Sequence, residues 1–192
     1  ALLPIMDGMA KHLSSEIHFL QVVWGRYFFM VLISLPIAIF FFKNNFKWPN
    51  NLQIQILRSL FLFLSTVLFF YAISVLSLAE SLTLAFISPI IVTLLSAFLL
   101  KEKVGLRRWL AVILGFIGAL IVIRPGFIEM KLATFAALGT GVAYAFYVIS
   151  TRKLSSVDSP IITLIFTGLS GALVISLVVP FYWSNLTNFQ WL

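Results

Sequence analysis

AESLTLAFISPIIVTLLSAFLL, residues 79–100, is an apolar run whose only ionisable side chain is Glu80. A helix that crosses the hydrocarbon core of a bilayer needs about 20 mostly apolar residues, and this run meets that length. Similar runs precede and follow it along the chain. The sequence therefore predicts an integral membrane protein made of several transmembrane helices.

The overall composition agrees with this prediction. Of the 192 residues, 61% are hydrophobic and 10% are charged, with a mean hydropathy of +1.10; a soluble domain is about 45–50% apolar and about 25% charged. The net charge of +7 resides in short loops between apolar runs rather than on a polar face, so nucleic acid is not expected as a partner. The absence of cysteine excludes disulfides, thiolate catalysis and Cys-based zinc sites. No cofactor or metal is predicted.

Breaks in hydrophobicity divide the chain into seven spans, which predicts an all-α polytopic helix bundle. A partial first helix ends near Leu13, and the others cover about Ile17–Phe42, Gln53–Leu76, Ala79–Leu100, Trp109–Ile123, Leu132–Ser150 and Pro160–Trp183. Turn residues separate them at Asn44-Asn45, Pro49-Asn50-Asn51, Pro125-Gly126 and Asp158-Ser159-Pro160. Because the stretch Ala1–Met6 is already apolar and the chain stops just after a span, we expect it to be a fragment of a longer permease.

The loop charges predict the orientation, since Lys and Arg are retained in cytoplasmic connections. The loops after the second, fourth and sixth spans, with the start of the third, contain Lys43, Lys47, Arg58, Lys101, Lys103, Arg107, Arg108, Arg152 and Lys153. The other side has Lys11, Arg124 and Lys131 beside Glu16, Glu80 and Glu129. We expect a multi-pass protein of the plasma or inner membrane, with a missing N-terminus in the cytoplasm.

Two strips of small residues predict close helix packing, because small side chains let backbones approach each other in a membrane. Ala133, Ala137, Gly141 and Ala145 form one strip on the sixth span. Ala111, Gly115 and Ala119 form the other strip, on the fifth span.

A short internal repeat suggests inverted topology. Residues 11–15, KHLSS, precede an apolar run that ends at Leu35-Pro36, and residues 152–156, RKLSS, precede one that ends at Val179-Pro180. The two copies end the first and sixth spans, so the odd displacement makes them point in opposite directions across the membrane, as in many secondary transporters. Chance similarity between two five-residue strings is the alternative.

An ordered set of motifs carries a family resemblance. Residues 79–89, AESLTLAFISP, are followed by LLKEK at 99–103, GFIGA at 115–119 and IRPG at 123–126. Together they resemble the EamA-type drug/metabolite transporter superfamily. Residues 7–11, DGMAK, with WGRYFF at 24–29 and LRSL at 57–60, loosely resemble its S-adenosylmethionine importer and amino-acid exporter branches.

The resemblance implies a ten-helix permease built from two five-helix inverted repeats. Residues 1–126 would then form the first repeat, truncated at its N-terminus, and residues 127–192 the start of the second, truncated at its C-terminus. Members of the superfamily move amino acids, nucleotide-like metabolites and drugs. The expected function is secondary transport of a small metabolite by alternating access. The expected partners are this substrate and the lipid bilayer. A second copy of the chain, in a homodimer, is a further alternative.

Buried charges are the first candidates for a substrate site, because a charge at a helix centre costs about 2.5–3.5 kcal/mol unless it has a partner or a wet cavity. Asp7 and Arg26 lie at nearly equal depths, roughly 10 and roughly 13 Å from the turn that joins the first two helices. They are expected either to form a structural ion pair or to bind substrate. Lys11 lies at i+4 from Asp7 and either joins them or extends to the interface.

Aromatic and kink residues complete the predicted site. Tyr71, Tyr144 and Tyr147 either line a cavity or lie at the membrane interface. Ser88-Pro89 interrupts the fourth helix, where a freed carbonyl faces a binding cavity or the chain is simply kinked.

Other polar groups receive structural interpretations. His12 and His18 are expected at the interface rather than as proton carriers. Glu102, beside Lys101 and Lys103, is expected to be a cytoplasmic structural acid.

Two other functions compete with transport. Gly168-Leu169-Ser170-Gly171 has the form seen around the nucleophile of rhomboid proteases, but no histidine follows Ser170, and the glycines are better explained as a packing face. A passive channel or a lipid-handling protein would share the helices without alternating access. No enzyme is predicted, and no catalytic residue is assigned.

The loop charges make a direct prediction of topology. Single cysteines replacing Asn45 and Ser155 should react only with a reagent that reaches the cytoplasm, and one replacing Ile128 only from outside, because the basic loops are retained in the cytoplasm. Native cysteine is absent, so each labelled thiol is the introduced one. Sided maleimide labelling measures this. Labelling of the Asn45 and Ile128 positions from the same side would contradict the orientation.

Overall fold

The computed structural model describes residues 2–42, 48–123, 131–155 and 158–183. All regular structure in these ranges is helical. The helices are α1 (Leu2–Glu16), α2 (Phe19–Phe42), α3 (Leu52–Val75), α4 (Leu78–Ala85), α5 (Ser88–Leu99), α6 (Leu106–Ile123), α7 (Leu132–Leu154) and α8 (Pro160–Val178), followed by a 3₁₀ turn, Val179–Tyr182. The predicted turns Asn44-Asn45 and Pro125-Gly126 and the domain boundary at residues 126 and 127 lie outside the described residues.

The predicted all-α polytopic bundle is confirmed. Among the described residues, five segments are long and apolar enough to cross a membrane: Phe19–Phe40, Leu52–Val75, Leu78–Leu99, Leu132–Leu154 and Pro160–Tyr182. Large apolar side chains such as Phe40, which is 82% exposed, and Phe98, which is 76% exposed, cover the outside of the bundle, where lipid is the solvent.

The fourth span is broken, as the Ser88-Pro89 pair predicts. α4 ends at Ala85 and α5 begins at Ser88, with a turn at Phe86 and Ile87 between them. Pro89 lies in the first turn of α5, where a missing N–H is tolerated. The same proline removes the helical hydrogen-bond donor that the carbonyl of Ala85 would otherwise have.

Side-chain caps set several of the observed boundaries. Asn51 begins α3 by accepting a hydrogen bond from the Ile54 N–H at 3.1 Å. Ser77 and Glu80 form a capping box at the start of α4, with reciprocal bonds of 3.2 and 2.9 Å. Ser159 caps α8 in the same way as Asn51 caps α3.

Contacts between connections define the two ends of the bundle. The backbone N–H of Asn50 donates to Asp158 at 2.9 Å, and Arg152 pairs with Glu102 at 3.3 Å. These contacts bring the α2–α3, α5–α6 and α7–α8 connections to one end, here called the basic end. At the opposite end, the ring of His18 stacks on Tyr182 with centroids 4.7 Å apart.

The small-residue strip on α7 is confirmed as a packing seam. Ala133, Ala137 and Ala145 are almost fully buried, and Ala133 and Ala137 pack against Ala72 of α3. A β-carbon at Gly141 would lie 2.8 Å from the carbonyl oxygen of Ala85. Only glycine therefore allows α7 to approach the broken helix this closely.

The strip predicted on α6 is wrong as a packing seam within this part of the chain. Ala111 and Gly115 are exposed, and a β-carbon at Gly115 would meet nothing within 4 Å. The side chain of Ala119 lies outside the description. The spacing alone predicts a face on which backbones can approach, but it does not say whether the described helices cover that face.

The second close approach joins α2 and α8. Tyr27 lies against Gly171, Val31 against Gly168, and the indole N–H of Trp24 donates to Ser176 at 3.1 Å. The two helices therefore run antiparallel, as an inverted repeat requires; the rotation that would relate the two repeats stays a prediction. Gly168 and Gly171 form the packing face that the sequence suggested.

The α2–α8 contact predicts the effect of two matched substitutions. Gly171→Ala would place its β-carbon 2.2 Å from the Tyr27 ring and should destabilise the fold by about 1–3 kcal/mol through overpacking. Gly115→Ala, in open space, should be neutral or stabilising by up to about 1 kcal/mol through helix propensity. Thermal unfolding in detergent measures both, and equal effects would contradict the close contact.

Candidate functional site

A cavity of about 390 Å³ lies in the middle of the bundle, between α1, α2, α3, α7 and the break between α4 and α5. Four of the predicted site residues line it: Asp7, Arg26, Ser88 and Tyr144. We call it the central cavity. The structure thus brings together side chains from four separate segments of the sequence, as a binding site between helices requires.

Asp7 and Arg26 face the central cavity as separate charges. Both side chains are half-buried, and no salt bridge within 4.0 Å joins them. The Arg26 guanidinium carbon lies 5.9 Å from the centroid of the Phe70 ring, within the range of a cation–π contact. The predicted neighbourhood of Asp7 and Arg26 is present, and the space beside them can admit a ligand or water.

Hydroxyl groups line one wall of the central cavity, and the sequence analysis does not predict them. Ser65 donates to the carbonyl of Thr140 at 3.2 Å, and Thr66 donates to the carbonyl of Leu62 at 2.9 Å. The hydroxyls of Tyr27 and Thr66 lie 3.2 Å apart. These bonds use backbone acceptors for the two α3 hydroxyl protons, and an oxygen lone pair on each remains able to accept a hydrogen bond.

The break in the fourth span contributes backbone to the same cavity. Ala85, Phe86 and Pro89 belong to the cavity wall together with Ser88. Because Pro89 cannot donate to Ala85, the break places a carbonyl without its helical partner among the lining residues. Irregular backbone at membrane depth is tolerated where it lines such a cavity.

Lys11 does not line the central cavity. Its ammonium donates to the carbonyl oxygens of Ile73 and Leu76, the latter at 2.9 Å. These carbonyls belong to the C-terminal end of α3, where a positive charge is favourable. Lys11 therefore ties the end of α1 to the end of α3, and the structure gives it a structural contact.

The other two tyrosines lie on opposite sides of the central cavity. Tyr71 packs against Phe19 with ring centroids 5.6 Å apart, towards the end where Lys11 lies. Tyr147 lies towards the basic end, 5.6 Å from the ring of Tyr144 and 4.9 Å from the guanidinium carbon of Arg58. Of the three tyrosines, Tyr144 is the one that lines the cavity.

The remaining polar predictions fall near the helix ends. His12 lies 3.6 Å from Glu16 on the same helix, and His18 lies in the turn between α1 and α2. Glu102 pairs with Arg152 at 3.3 Å and with Arg108 at 4.0 Å, which links the α5–α6 connection to α6 and α7 at the basic end. Its structural role agrees with the prediction, but its partners are these arginines.

Arg58 is buried between helices, a position that the sequence analysis does not predict. The loop-charge pattern groups it with the charges of the connections, whereas in the structure the residue is only 3% exposed and is surrounded by α3, α7 and α8. A signal was available, because polar residues recur on one face of α3 at helical spacing: Gln55, Arg58, Ser59, Ser65 and Thr66.

The comparisons with known proteins agree with this architecture. A profile of the EamA-like transporter family matches residues 5–124. The S-adenosylmethionine uptake transporter of Rickettsia prowazekii (strain Madrid E) is 24% identical over 186 residues, which are 97% of this chain and 63% of that protein. The riboflavin transporter of Vibrio cholerae is 40% identical over 81 residues, which are 42% of this chain and 27% of that protein.

A more distant relative and a solved structure extend the comparison. Solute carrier family 35 member G1 of Homo sapiens is 28% identical over 159 residues, covering 74% of this chain and 43% of that protein. A protein known by its crystal structure superposes with a TM-score of 0.64 at 16% identity, covering 97% of this chain and 70% of its own. That likeness shows a shared fold. The chain spans about 63% of the length of the S-adenosylmethionine uptake transporters that it matches.

The contacts of Lys11 predict a structural defect on substitution. Lys11→Gln should lower the stability of the fold by about 1–3 kcal/mol, the usual cost of losing hydrogen bonds to a charged donor, and should leave substrate affinity unchanged. Thermal unfolding and the half-saturating substrate concentration measure the two effects. Lys103→Gln, in an exposed loop, is the control. Weaker substrate binding with unchanged stability would instead place Lys11 in the substrate site.

Proposed function

We propose that this chain, which belongs to the EamA-like transporter family, carries a small metabolite across the membrane as part of a secondary transporter that works by alternating access. The observation that carries the proposal is the central cavity, in which Asp7 and Arg26 face a space of about 390 Å³ at mid-depth. Two opposite charges with no direct ion pair are costly at this depth unless a ligand or water occupies the space.

The chemistry of the cavity supports an amino acid or a nucleotide-like compound as substrate. The planar guanidinium of Arg26 is suited to a carboxylate or a phosphate, with which it can form two parallel hydrogen bonds. Asp7 can accept a hydrogen bond from an ammonium group or carry a coupling proton. Tyr144 supplies a ring on which a planar group can stack. Relatives named for the transport of S-adenosylmethionine and riboflavin support a small organic substrate.

The proposed mechanism uses two inverted repeats, with residues 1–126 in the first and residues 127–192 in the second. The antiparallel course of α2 and α8 supports this division. The break between α4 and α5 supports a helix that can change shape near the substrate, because the turn at Phe86 and Ile87 interrupts the continuous helical hydrogen bonds. The basic end is proposed to face the cytoplasm.

Counterflow tests the proposed function. The protein, reconstituted in liposomes preloaded with an unlabelled candidate substrate, should accumulate the labelled compound transiently above its external concentration, because a carrier exchanges ligand through one alternating site. Amino acids and nucleotide-like compounds form the first panel. Conductance without saturation would identify a channel, and the absence of exchange across the whole panel would contradict the substrate classes.

Charge neutralisation tests the role of Asp7 and Arg26. Asp7→Asn or Arg26→Gln alone should lower thermal stability, by up to roughly 3–5 kcal/mol if the remaining charge is poorly hydrated. The double substitution should restore stability and still abolish transport, because the substrate loses its charge-assisted hydrogen bonds. Glu80→Gln, which keeps a residue able to cap α4, is the matched control and should transport normally.

The double variant distinguishes the two roles of the charges. Transport at the normal rate by the folded double variant would mean that Asp7 and Arg26 only join helices. Full activity of the Asp7→Asn single variant would remove Asp7 from substrate binding and from proton coupling.

A further inference from the structure

A second cavity, of about 290 Å³, lies between α3, α7 and α8 at the basic end. We call it the basic-end cavity. Its lining includes Arg58, Tyr147, Thr151, Ser155, Asp158 and Thr163. The rings of Tyr144 and Tyr147, 5.6 Å apart, lie between the two cavities, since Tyr144 lines the central cavity and Tyr147 lines this one.

Arg58 brings a buried positive charge to the basic-end cavity. Its Nε donates to Thr151 at 2.8 Å, and its Nη1 donates to Thr167 at 2.9 Å and to the carbonyl of Thr163 at 3.2 Å. Its Nη2 makes one long contact of 3.4 Å with the hydroxyl of Tyr147. Every one of these acceptors is neutral, and no described carboxylate lies within 4.0 Å. The guanidinium is therefore held in place without a counter-charge, and Nη2 has donor capacity left.

Asp158 brings a buried negative charge to the same cavity. The residue is 9% exposed. Its Oδ1 accepts two hydrogen bonds from Asn50, from the backbone N–H at 2.9 Å and from the side-chain amide at 3.0 Å. Its Oδ2 is buried and has no hydrogen-bond partner among the described residues. Buried carboxylate oxygens are normally satisfied, so this atom marks a place that a donor should occupy.

We propose that the basic-end cavity binds a small zwitterion, with its carboxylate at Arg58 and its ammonium group at Asp158. A simple anion would leave Oδ2 of Asp158 without a donor and would be repelled by it. A simple amine would leave Arg58 without an anion. A ligand that carries both groups satisfies both residues, and the ring of Tyr147 with the aliphatic side chain of Leu164 covers its apolar part.

The size of the cavity is consistent with an amino acid. A water molecule takes about 30 Å³ of liquid volume, so a cavity of 290 Å³ admits a ligand that replaces several waters. The site is separate from the central cavity, because the tyrosine pair lies between them and its charged residues come from α3 and the α7–α8 connection. The contacts that define this site do not depend on the transport function proposed above.

Protection of a cysteine tests the proposal. Ser155 lines the basic-end cavity and is exposed, and the chain has no native cysteine, so Ser155→Cys provides one reactive thiol. The rate of its alkylation by N-ethylmaleimide is measured for the protein in lipid nanodiscs. The probes are L-leucine, isopentylamine, which lacks the carboxylate, and 4-methylpentanoate, which lacks the amine. At equal concentrations, leucine should slow alkylation and the two single-charge analogues should not.

Two further substitutions locate the protection. Asp158→Asn keeps an acceptor for Asn50 and removes the charge, so the half-protecting leucine concentration should rise by about tenfold or more, as for one lost hydrogen bond to a charged group. Glu80→Gln, at the opposite end, should leave it unchanged. Asp7→Asn should also leave it unchanged, even though transport is expected to fail, so this site and the central cavity are tested independently.

Several results would overturn the proposal. Absence of protection by leucine, equal protection by either single-charge analogue, or unchanged protection in a folded Asp158→Asn variant would each exclude a zwitterion held by both charges. Loss of protection in an Asp7→Asn variant that is still folded would place the ligand in the central cavity instead. The comparison of the three probes uses no charge variant, so it decides the matter even if Asp158→Asn fails to fold.

Discussion

The close antiparallel contact between α3 and α7 is the constraint on which the rest of the structure depends. Lipid is as apolar as the side chains that face it, so hydrophobicity cannot select which helices meet, and small residues allow the approach instead. Ala133 and Ala137 on α7 meet Ala72 on α3, while Gly141 leaves room for the carbonyl of Ala85. Both cavities have walls formed by this helix pair, so their shapes depend on how closely α3 and α7 pack.

A polar face on α3 is the second important feature, and it is compatible with a membrane because its polar side chains have hydrogen-bond partners, some within α3 and others on α7 and α8. Ser59 and Thr66 donate to carbonyls one turn earlier on their own helix, at 2.8 and 2.9 Å. Such bonds remove the cost of an unsatisfied donor without consuming a partner on another helix. Arg58 differs, because its hydrogen bonds reach α7 and α8 and join three helices around one charge.

Much of the fold was predictable because each predicted feature rests on local physics. Span length follows from bilayer thickness, and the break at Ser88-Pro89 follows from the missing proline N–H. The site was less predictable. Depth along two adjacent helices placed Asp7 beside Arg26, but it could not show that Tyr71 faces a different packing cluster or that Arg58 is buried. Those outcomes depend on helix rotation and on partners distant in sequence, and spacing determines neither.

The rings of Tyr144 and Tyr147 lie between the two cavities, and each ring lines one of them. Each cavity contains one carboxylate and one guanidinium, so a ligand that matches one in charge also matches the other. The two tyrosines are three residues apart on α7, and their rings therefore lie on neighbouring turns of one helix face. The tyrosine pair on α7 therefore forms the boundary between two cavities that carry the same two kinds of charged group.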